Sequence, residues 1–498
     1  MPSSSLPVEL VSFDNTYARC LDGFYVSCSP DPATKPALLR WNYSLAEELG
    51  LDVRAIEPSR LAAIFSGTEL PLGAQPLAQA YAGHQFGGFN PQLGDGRALL
   101  LGEVIDRNGR RRDIAFKGSG PTSFSRGGDG KAAVGPVLRE FLIGEAMHAL
   151  GIPTTRALAA VATGERVRRE RSLPGAVLTR VAASHIRVGT FQFFAARGDD
   201  EKVRKLADYV IERHEPQLLG RSDRYLALLR AVVERQADLL AQWMLVGFIH
   251  GVMNTDNMAV SGETIDYGPC AFMEAYSPAT VFSSIDVHGR YAYGRQPQIA
   301  GWNLTRLAET FLPLIDAEST DRAVAEATAV LEEYPRLYEA AWLSRVRTKL
   351  GLATPHADDA ALAKDWLTLL DRNEVDFTLA WRRLAGTVAG DSQPLEQLFK
   401  SSPDLTPWLE RLRRRIEQEG RPIADAATSM RRVNPVYIPR NHLVEVALAA
   451  ASDDGDLAPF DGLLDAVKQP YDERPGLEHF AAPAAASYTA CYKTYCGT

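Results

Sequence analysis

The rhythm of apolar and polar positions changes along this chain. Up to about residue 60, short aromatic or apolar runs alternate with Pro and Gly. Between residues 81 and 131 glycine becomes dense, first in YAGHQFGGFNPQLGDGR and again in KGSGPTSFSRGGDGK. Two strand-like runs lie between these stretches, Ala98-Leu-Leu-Leu-Gly-Glu-Val-Ile and Asp113-Ile-Ala-Phe-Lys. They are joined by Asp106-Arg-Asn-Gly-Arg, whose Asn-Gly is a hairpin signal. The order is therefore glycine loop, strand, turn, strand, glycine loop. Val134, Val137, Leu138, Phe141 and Leu142 then recur at helical spacing, and Gly151-Ile-Pro stops that helix. Val177-Leu-Thr-Arg-Val reads as another strand. From about residue 200 the pattern is mostly helical, with one long helix from roughly Tyr225 to Phe248. That helix leads into His250-Gly-Val-Met-Asn-Thr-Asp-Asn-Met and then Thr264-Ile-Asp-Tyr-Gly. The last 50 residues, from Ala449, are rich in Ala, Asp and Pro and read as a tail over the surface.

A sheet-rich first part followed by a helix-rich second part predicts an α+β, bilobal fold with a ligand cleft between the lobes. The expected divisions are an N-terminal extension over 1–60, a sheet-rich lobe over 61–165, a helical lobe over 166–448 and a tail over 449–498. Net charge is -8 over 498 residues and there is no polybasic run, which argues against nucleic acid or a membrane surface as partners. The N-terminus has no secretory pattern, and no run of about 18 apolar residues suggests a membrane span. The five cysteines form no C-x-x-C pair and no zinc spacing. A reducing cytoplasmic setting is expected. Cys491 and Cys496 are five apart, so either can pair with the other or with Cys270.

Chemistry concentrates around His250 to Gly268. Kinases place His-x-Asp, an Asn five residues after that Asp, and Asp-x-Gly shortly beyond. The reason is electrostatic: nucleotide phosphates repel one another, and a divalent ion held by an amide oxygen and a carboxylate offsets that repulsion. Asn257 and Asp266 occupy those two positions and are the expected ligands for Mg²⁺ or Mn²⁺. The position of the catalytic base is Val252, which cannot accept a proton. Asp256, beside Asn257, is the only carboxylate in the loop and becomes the candidate base, although Asp also caps turns well. Lys117, at a strand end before Gly118, can reach phosphate oxygens as a compact charge. Its partner would come from the following helix, where periodicity leaves Glu140 and Glu145 both open. Gly94-Asp-Gly-Arg97 and Arg126-Gly-Gly-Asp-Gly130 offer free backbone N–H groups to anions but match no phosphate-loop motif. Beside Lys117, Arg97, Arg180 and Arg187 they gain weight.

Taken together, these residues resemble the selenoprotein O (YdiU) family. The matching blocks are YAGHQFGGFNPQLGDGRA, DIAFKGSGPTSFSRGGDGKA, LREFLIGEAMHALGIPTTRAL, LTRVAASHIRVGTFQ, and HGVMNTDN with IDYGP, and the similarity runs from about residue 10 to 445. The resemblance implies a protein-kinase-like fold that binds ATP in reversed orientation and transfers AMP to Ser, Thr or Tyr hydroxyls of proteins, itself included. UTP with manganese is the alternative donor. It further implies nucleotide contacts from Gly94, Gly96, Arg97, Lys117, Asp129, Gly130, Arg180, Arg187 and Asp266, with Glu140 pairing the lysine. Metal would be held by Asn257 and Asp266, and Asp256 would be the base. One departure is plain: the loop Pro278-Ala-Thr-Val-Phe-Ser-Ser lacks the cysteine that relatives often carry there to pair with a C-terminal one. Residue types alone leave open a phosphotransferase with a re-sited base, while an inert nucleotide-gated binding module would have no chemical need for Lys117, Asn257 and Asp266 together.

Overall fold

The computed structural model describes residues 10, 12–54, 56–400 and 402–495. Its first half is built on an antiparallel sheet. The strands in chain order are β1 (Tyr25–Ser27), β2 (Ala37–Trp41), β3 (Leu77–Gln79), β4 (Gly83–Gln85), β5 (Gly88–Asn90), β6 (Ala98–Ile105), β7 (Arg111–Lys117), β8 (Ala132–Ala133), β9 (Arg156–Arg168) and β10 (Ser172–Ala182). Their order in the main sheet is β1-β3-β6-β7-β10-β9-β2, with β8 pairing β10. β4 and β5 form a separate hairpin. The helices that shape the site are α1 (Thr16–Cys20), α2 (Tyr43–Leu49), α3 (Pro58–Phe65), α4 (Val134–Ala149), α5 (Val188–Ala195), α6 (Asp200–His214), α7 (Arg224–Val246) and α8 (Gln296–Ile315).

Strand alternation explains why the sheet is covered on both faces. Successive side chains point to opposite sides. Val177 and Val181 of β10 join Phe116, Leu158, Trp41, Leu45 and Phe65 in one core, under α2 and α3. Leu178, between them, joins Leu138, Phe141 and Leu142 of α4 on the other face. That second face is completed by Val444 and Leu448 of helix Asn441–Ala449 and by Phe460, Leu463 and Val467 of helix Ala458–Val467. The segment expected to run loosely over the surface after residue 449 thus supplies core. Its alanines and aspartates obscured a short amphipathic helix with buried residues at i, i+3, i+6 and i+7.

The sheet also takes in more chain than the sequence pattern suggested. β9 was not anticipated; its Arg156-Ala-Leu-Ala-Ala opening has more helix than strand propensity, and tertiary pairing with β10 and β2 overrides it. The expected lobe boundary at 165/166 falls inside β9, so the sheet-rich part ends at Ala182 instead. The N-terminal segment is not peripheral, because β1 and β2 form the two edges.

The helical part has two further cores. One gathers α5, α6, α7 and α8 around Leu228, Val232, Leu239 and Phe311, and the other stacks Trp366 on Trp408 beside Trp381. Among the described residues, no helix is long and apolar enough to cross a membrane. Cys20, Cys28, Cys270 and Cys491 are free, and Cys496 lies outside the described residues.

Candidate active site

β7 ends at Lys117, and α4 runs beneath it. Register places Lys117 opposite Ala98 of β6 and Leu178 of β10, in the middle of the sheet. Lys117 Nζ donates to Glu140 Oε2 at 2.5 Å and to Asp266 Oδ1 at 2.6 Å. The choice left open on α4 resolves to Glu140, because Glu145 is occupied by Arg156 at 2.6 and 2.8 Å. Arg180 of β10 meets the other Glu140 oxygen at 3.1 Å. Burial alone would raise the Glu140 carboxyl, but Lys117 and Arg180 outweigh it and hold it below its ordinary value. The same balance, against Lys117 and Arg97, keeps Asp266 ionised. Arg180 is tied onward through His185 to Asp113, which Arg213 holds from α6. This network fixes Arg180 from behind.

Asp266 carries φ +67°, the left-handed region, which costs an ordinary side chain on the order of 1–3 kcal/mol unless its surroundings hold it. Short polar residues tolerate that conformation best. The loop before it is pinned by His250, whose Nε2 lies 2.9 Å from the Ile265 carbonyl and whose ring stacks on Trp243. Val252 is buried, and its carbonyl accepts from Asn257 Nδ2 at 3.0 Å. That bond leaves the Asn257 amide oxygen for a cation.

Two cavities meet at the Lys117–Asp266 pair. The smaller, about 110 Å³, is lined by Gly96, Arg97, Lys117, Arg180, Arg187, Asp256, Asn257 and Asp266, together with Tyr81 and Asp95. The larger, about 300 Å³, shares Arg97, Lys117 and Asp266 and continues past Glu140 toward apolar walls at Leu173, Leu178 and Leu448. Arg187, the residue just before α5, is buried, stacks over the Tyr81 ring at 4.3 Å and pairs with Asp95 at 3.3 Å. Burial opposes its charge, but Tyr81 and Asp95 keep it protonated.

Asp256 lines the smaller cavity, and its Oδ1 is buried beside Gly83 without a hydrogen-bond partner. Gln85 of β4 approaches the other at 3.5 Å. Burial pushes its carboxyl up to about 6. A buried carboxylate oxygen with no partner is costly unless something arrives to bond it.

Three expected nucleotide residues are not in either lining. Gly94, with φ +72°, has its Cα against the Phe124 ring, where a Cβ would come within 2.2 Å. Gly130 packs on Gly120, and the Asp129 carboxylate pairs with Arg169 at 2.8 Å. They shape the loops that carry Gly96 and Lys117. Sequence reading passed over Tyr81, Gln85, Asp95 and Gly189. The signal for Asp95 was an acid set between Gly94 and Gly96. The signal for Gly189 was a glycine at the start of a helix, where it lets Ala82 and Asp256 approach.

The Asn257 amide and the Asp266 carboxylate both line the smaller cavity and are oxygen donors of the kind a hard cation takes. No cluster of three or more His, Cys, Asp or Glu suited to a metal occurs among the described residues, so an all-protein zinc cage is not built here.

The chain is 62% identical to the protein nucleotidyltransferase YdiU of Chromobacterium violaceum over 469 residues, covering 94% of this chain and 98% of that one. It is 61% identical to the protein of the same name from Cereibacter sphaeroides over 487 residues, 98% and 99% of the two chains. The corresponding figures for Rhizobium meliloti are 57% over 488 residues, again 98% and 99%. With the family model described as protein adenylyltransferase SelO matching residues 7–468, the chain belongs to that family and is an enzyme of the nucleotidyltransferase class.

Proposed function

We propose that the protein transfers AMP from ATP to Ser, Thr or Tyr hydroxyls of proteins and releases pyrophosphate. The observation that carries this reading is the placement of charge. Lys117, Arg180 and Arg187 converge on the smaller cavity, whereas the larger one sets Arg139, Arg171 and Lys493 among apolar walls at Val137, Leu173, Leu178 and Leu448. The most negative part of a nucleotide, its β- and γ-phosphates, is drawn to the cations of the smaller cavity. The nucleoside is then left to the larger chamber, and the α-phosphate lies between, at the Asn257–Asp266 edge. A kinase needs the opposite order, with the γ-phosphate presented to a base, and the base position is Val252. The placement of Lys117, Glu140, Asn257 and Asp266 supports a kinase-like bilobal arrangement with the cleft between 61–182 and the helical part.

Asn257 and Asp266 would hold Mg²⁺ or Mn²⁺, which when bound supplies charge neutralisation at the phosphates. In the transfer step, the Asp256 carboxylate accepts the proton of the incoming hydroxyl. The hydroxyl oxygen forms a bond to the α-phosphorus, and the bond from that phosphorus to the bridging oxygen breaks. Lys117, Arg180 and Arg187 stabilise the charge on departing pyrophosphate. Asp256 is held close to this point by the 81–90 segment: His84 N donates to Thr255 Oγ1 at 2.7 Å and Phe86 N to Asn254 Oδ1 at 3.1 Å.

The test is parallel incubation with α-labelled and γ-labelled ATP, with α-labelled UTP and Mn²⁺ alongside. Label on protein from the α position of ATP, a mass gain of AMP and released pyrophosphate are expected. Label from the γ position alone makes the protein a phosphotransferase and overturns the proposal.

A further inference from the structure

The larger cavity is closed on one side by the end of the chain. Lys493 and Tyr495 line it together with Lys117, Asp266 and Leu178. Backbone bonding sets them there. Thr494 N donates to Phe282 O at 2.8 Å, and Ser284 N donates to Thr494 O at 2.9 Å. Thr494 Oγ1 donates to Pro269 O at 2.7 Å, three residues after Asp266. Lys493 Nζ donates to Val281 O at 3.1 Å. Just before them, Tyr492 is buried against Phe282 and bonds Glu445 through its hydroxyl at 2.8 Å. Tyr492 and Thr494 are therefore anchors.

Tyr495 is different. It is 70% exposed and lines a cavity whose walls include Val137, Leu173, Leu178 and Leu448. An anchor would bury that ring, as Tyr492 does. The backbone bonds of Thr494 set this open ring beside the chamber. At about 300 Å³, with apolar walls and charged groups that include Arg139, Arg171 and Glu445, the cavity has room for a small heterocycle. Every nucleobase offers a π face, and aromatic side chains stack on it with little dependence on sequence.

We propose that Lys493 and Tyr495 are nucleotide-binding residues, so that the docked C-terminal segment completes the chamber for the nucleoside half of the donor. Tyr495 covers one face of the base, and Lys493 supplies a hydrogen-bond donor at its edge. This inference rests on the proposed nucleotide orientation and adds to it a specificity element that lies more than 200 residues beyond Asp266 in the chain. The phosphate-binding residues are untouched by it.

The experiment uses the full chain with Tyr495→Ala, Tyr495→Phe, Lys493→Ala and Lys117→Ala. Calorimetry measures binding of α,β-methylene-ATP and of inorganic tripolyphosphate, and label transfer gives KM and kcat for ATP. Tyr495→Ala is expected to raise Kd for the ATP analogue and KM for ATP about tenfold, the ~1.4 kcal/mol of one stacked base. It should leave kcat and tripolyphosphate binding unchanged, and Tyr495→Phe should bind as wild type. Equal ATP-analogue affinity in Tyr495→Ala and wild type overturns the inference. So does an equal loss for tripolyphosphate, which would mean that the tail only supports the whole site. The underlying nucleotide orientation fails separately, if Lys117→Ala weakens neither ligand.

Discussion

Asp266 and Lys117 show how much one residue pair can settle. The ammonium sits 2.6 Å from Asp266 and 2.5 Å from Glu140, so a single cation is shared by the Asp266 loop and by α4. Asp266→Ala and Asn257→Ala should each lower transfer at least about 100-fold, since charge neutralisation at a phosphate supplies several kcal/mol. The thermal midpoint should change little, because Glu140 still holds Lys117. Near-normal turnover in Asp266→Ala would remove the metal assignment. Residue types at motif positions were legible in the sequence: Lys117, Asn257, Asp256 and Asp266 all reach one cleft, as their spacing implied. The choice of Glu140 over Glu145 came from the family resemblance and not from periodicity, because it depends on Arg156 arriving from β9, and β9 itself was unread. A second residue lies far from this chemistry. Lys349 is buried without an ion pair among the described residues, its ammonium 5.0 Å from the Trp381 ring, and burial lowers it to about 7. A lysine lowered in the folded state binds its proton less well there than in the unfolded chain, so its cost is nearly full at pH 7 and vanishes as pH rises toward 10.5. Lys349→Met should therefore raise the unfolding midpoint at pH 7 by roughly 2 °C, and the gain should shrink by pH 10. A pH-independent difference between variant and wild type in thermal scans would contradict this.

At the scale of elements, the site depends on close approach more than on side chains. α5 begins at Val188, directly after Arg187, and its Gly189 lies where a Cβ would stand 2.2 Å from the Ala82 carbonyl and 3.4 Å from the Asp256 Cα. Gly189→Ala should push the 81–90 segment away from the catalytic loop. Displacements near 1 Å cost about 100-fold in rate, so a fall of that order in kcat is expected with circular dichroism unchanged. Wild-type kcat in this variant would show that the approach is not needed. The long helix α7, the hairpin β6–β7 and the helix α4 were all visible as periodicity. The β4–β5 hairpin was visible only as glycine density, since strands of three residues carry too few alternations to read. What ties it to the 250–257 loop, its bonds to Thr255 and Asn254, joins residues more than 160 positions apart.

For the whole molecule, the C-terminal fifty residues decide integrity as well as shape. Phe460, Leu463 and Val467 are each almost wholly buried against α4, the helix that carries Glu140. Burying such side chains contributes about 1.5–3 kcal/mol apiece. Deleting 450–498 should therefore yield insoluble or thermally labile protein, measured by soluble yield and differential scanning calorimetry. A stable, soluble deletion with native helicity would show that these residues merely lie on the surface. Mixed α+β character was readable from the order of strand-like and helix-like stretches; the tail's role was not, because its apolar residues are few and widely spaced. The sheet carries one more consequence, in the time order of synthesis. Its two edges, β1 and β2, are made first, yet β2 pairs only with β9, as Ala37 with Ala162 and Trp41 with Ala159. At about 5–20 residues per second, β2 leaves the ribosome roughly 6–25 s before its partner exists. Its pairing groups stay open for that interval, which makes the nascent chain, rather than the finished enzyme, the form most in need of a chaperone.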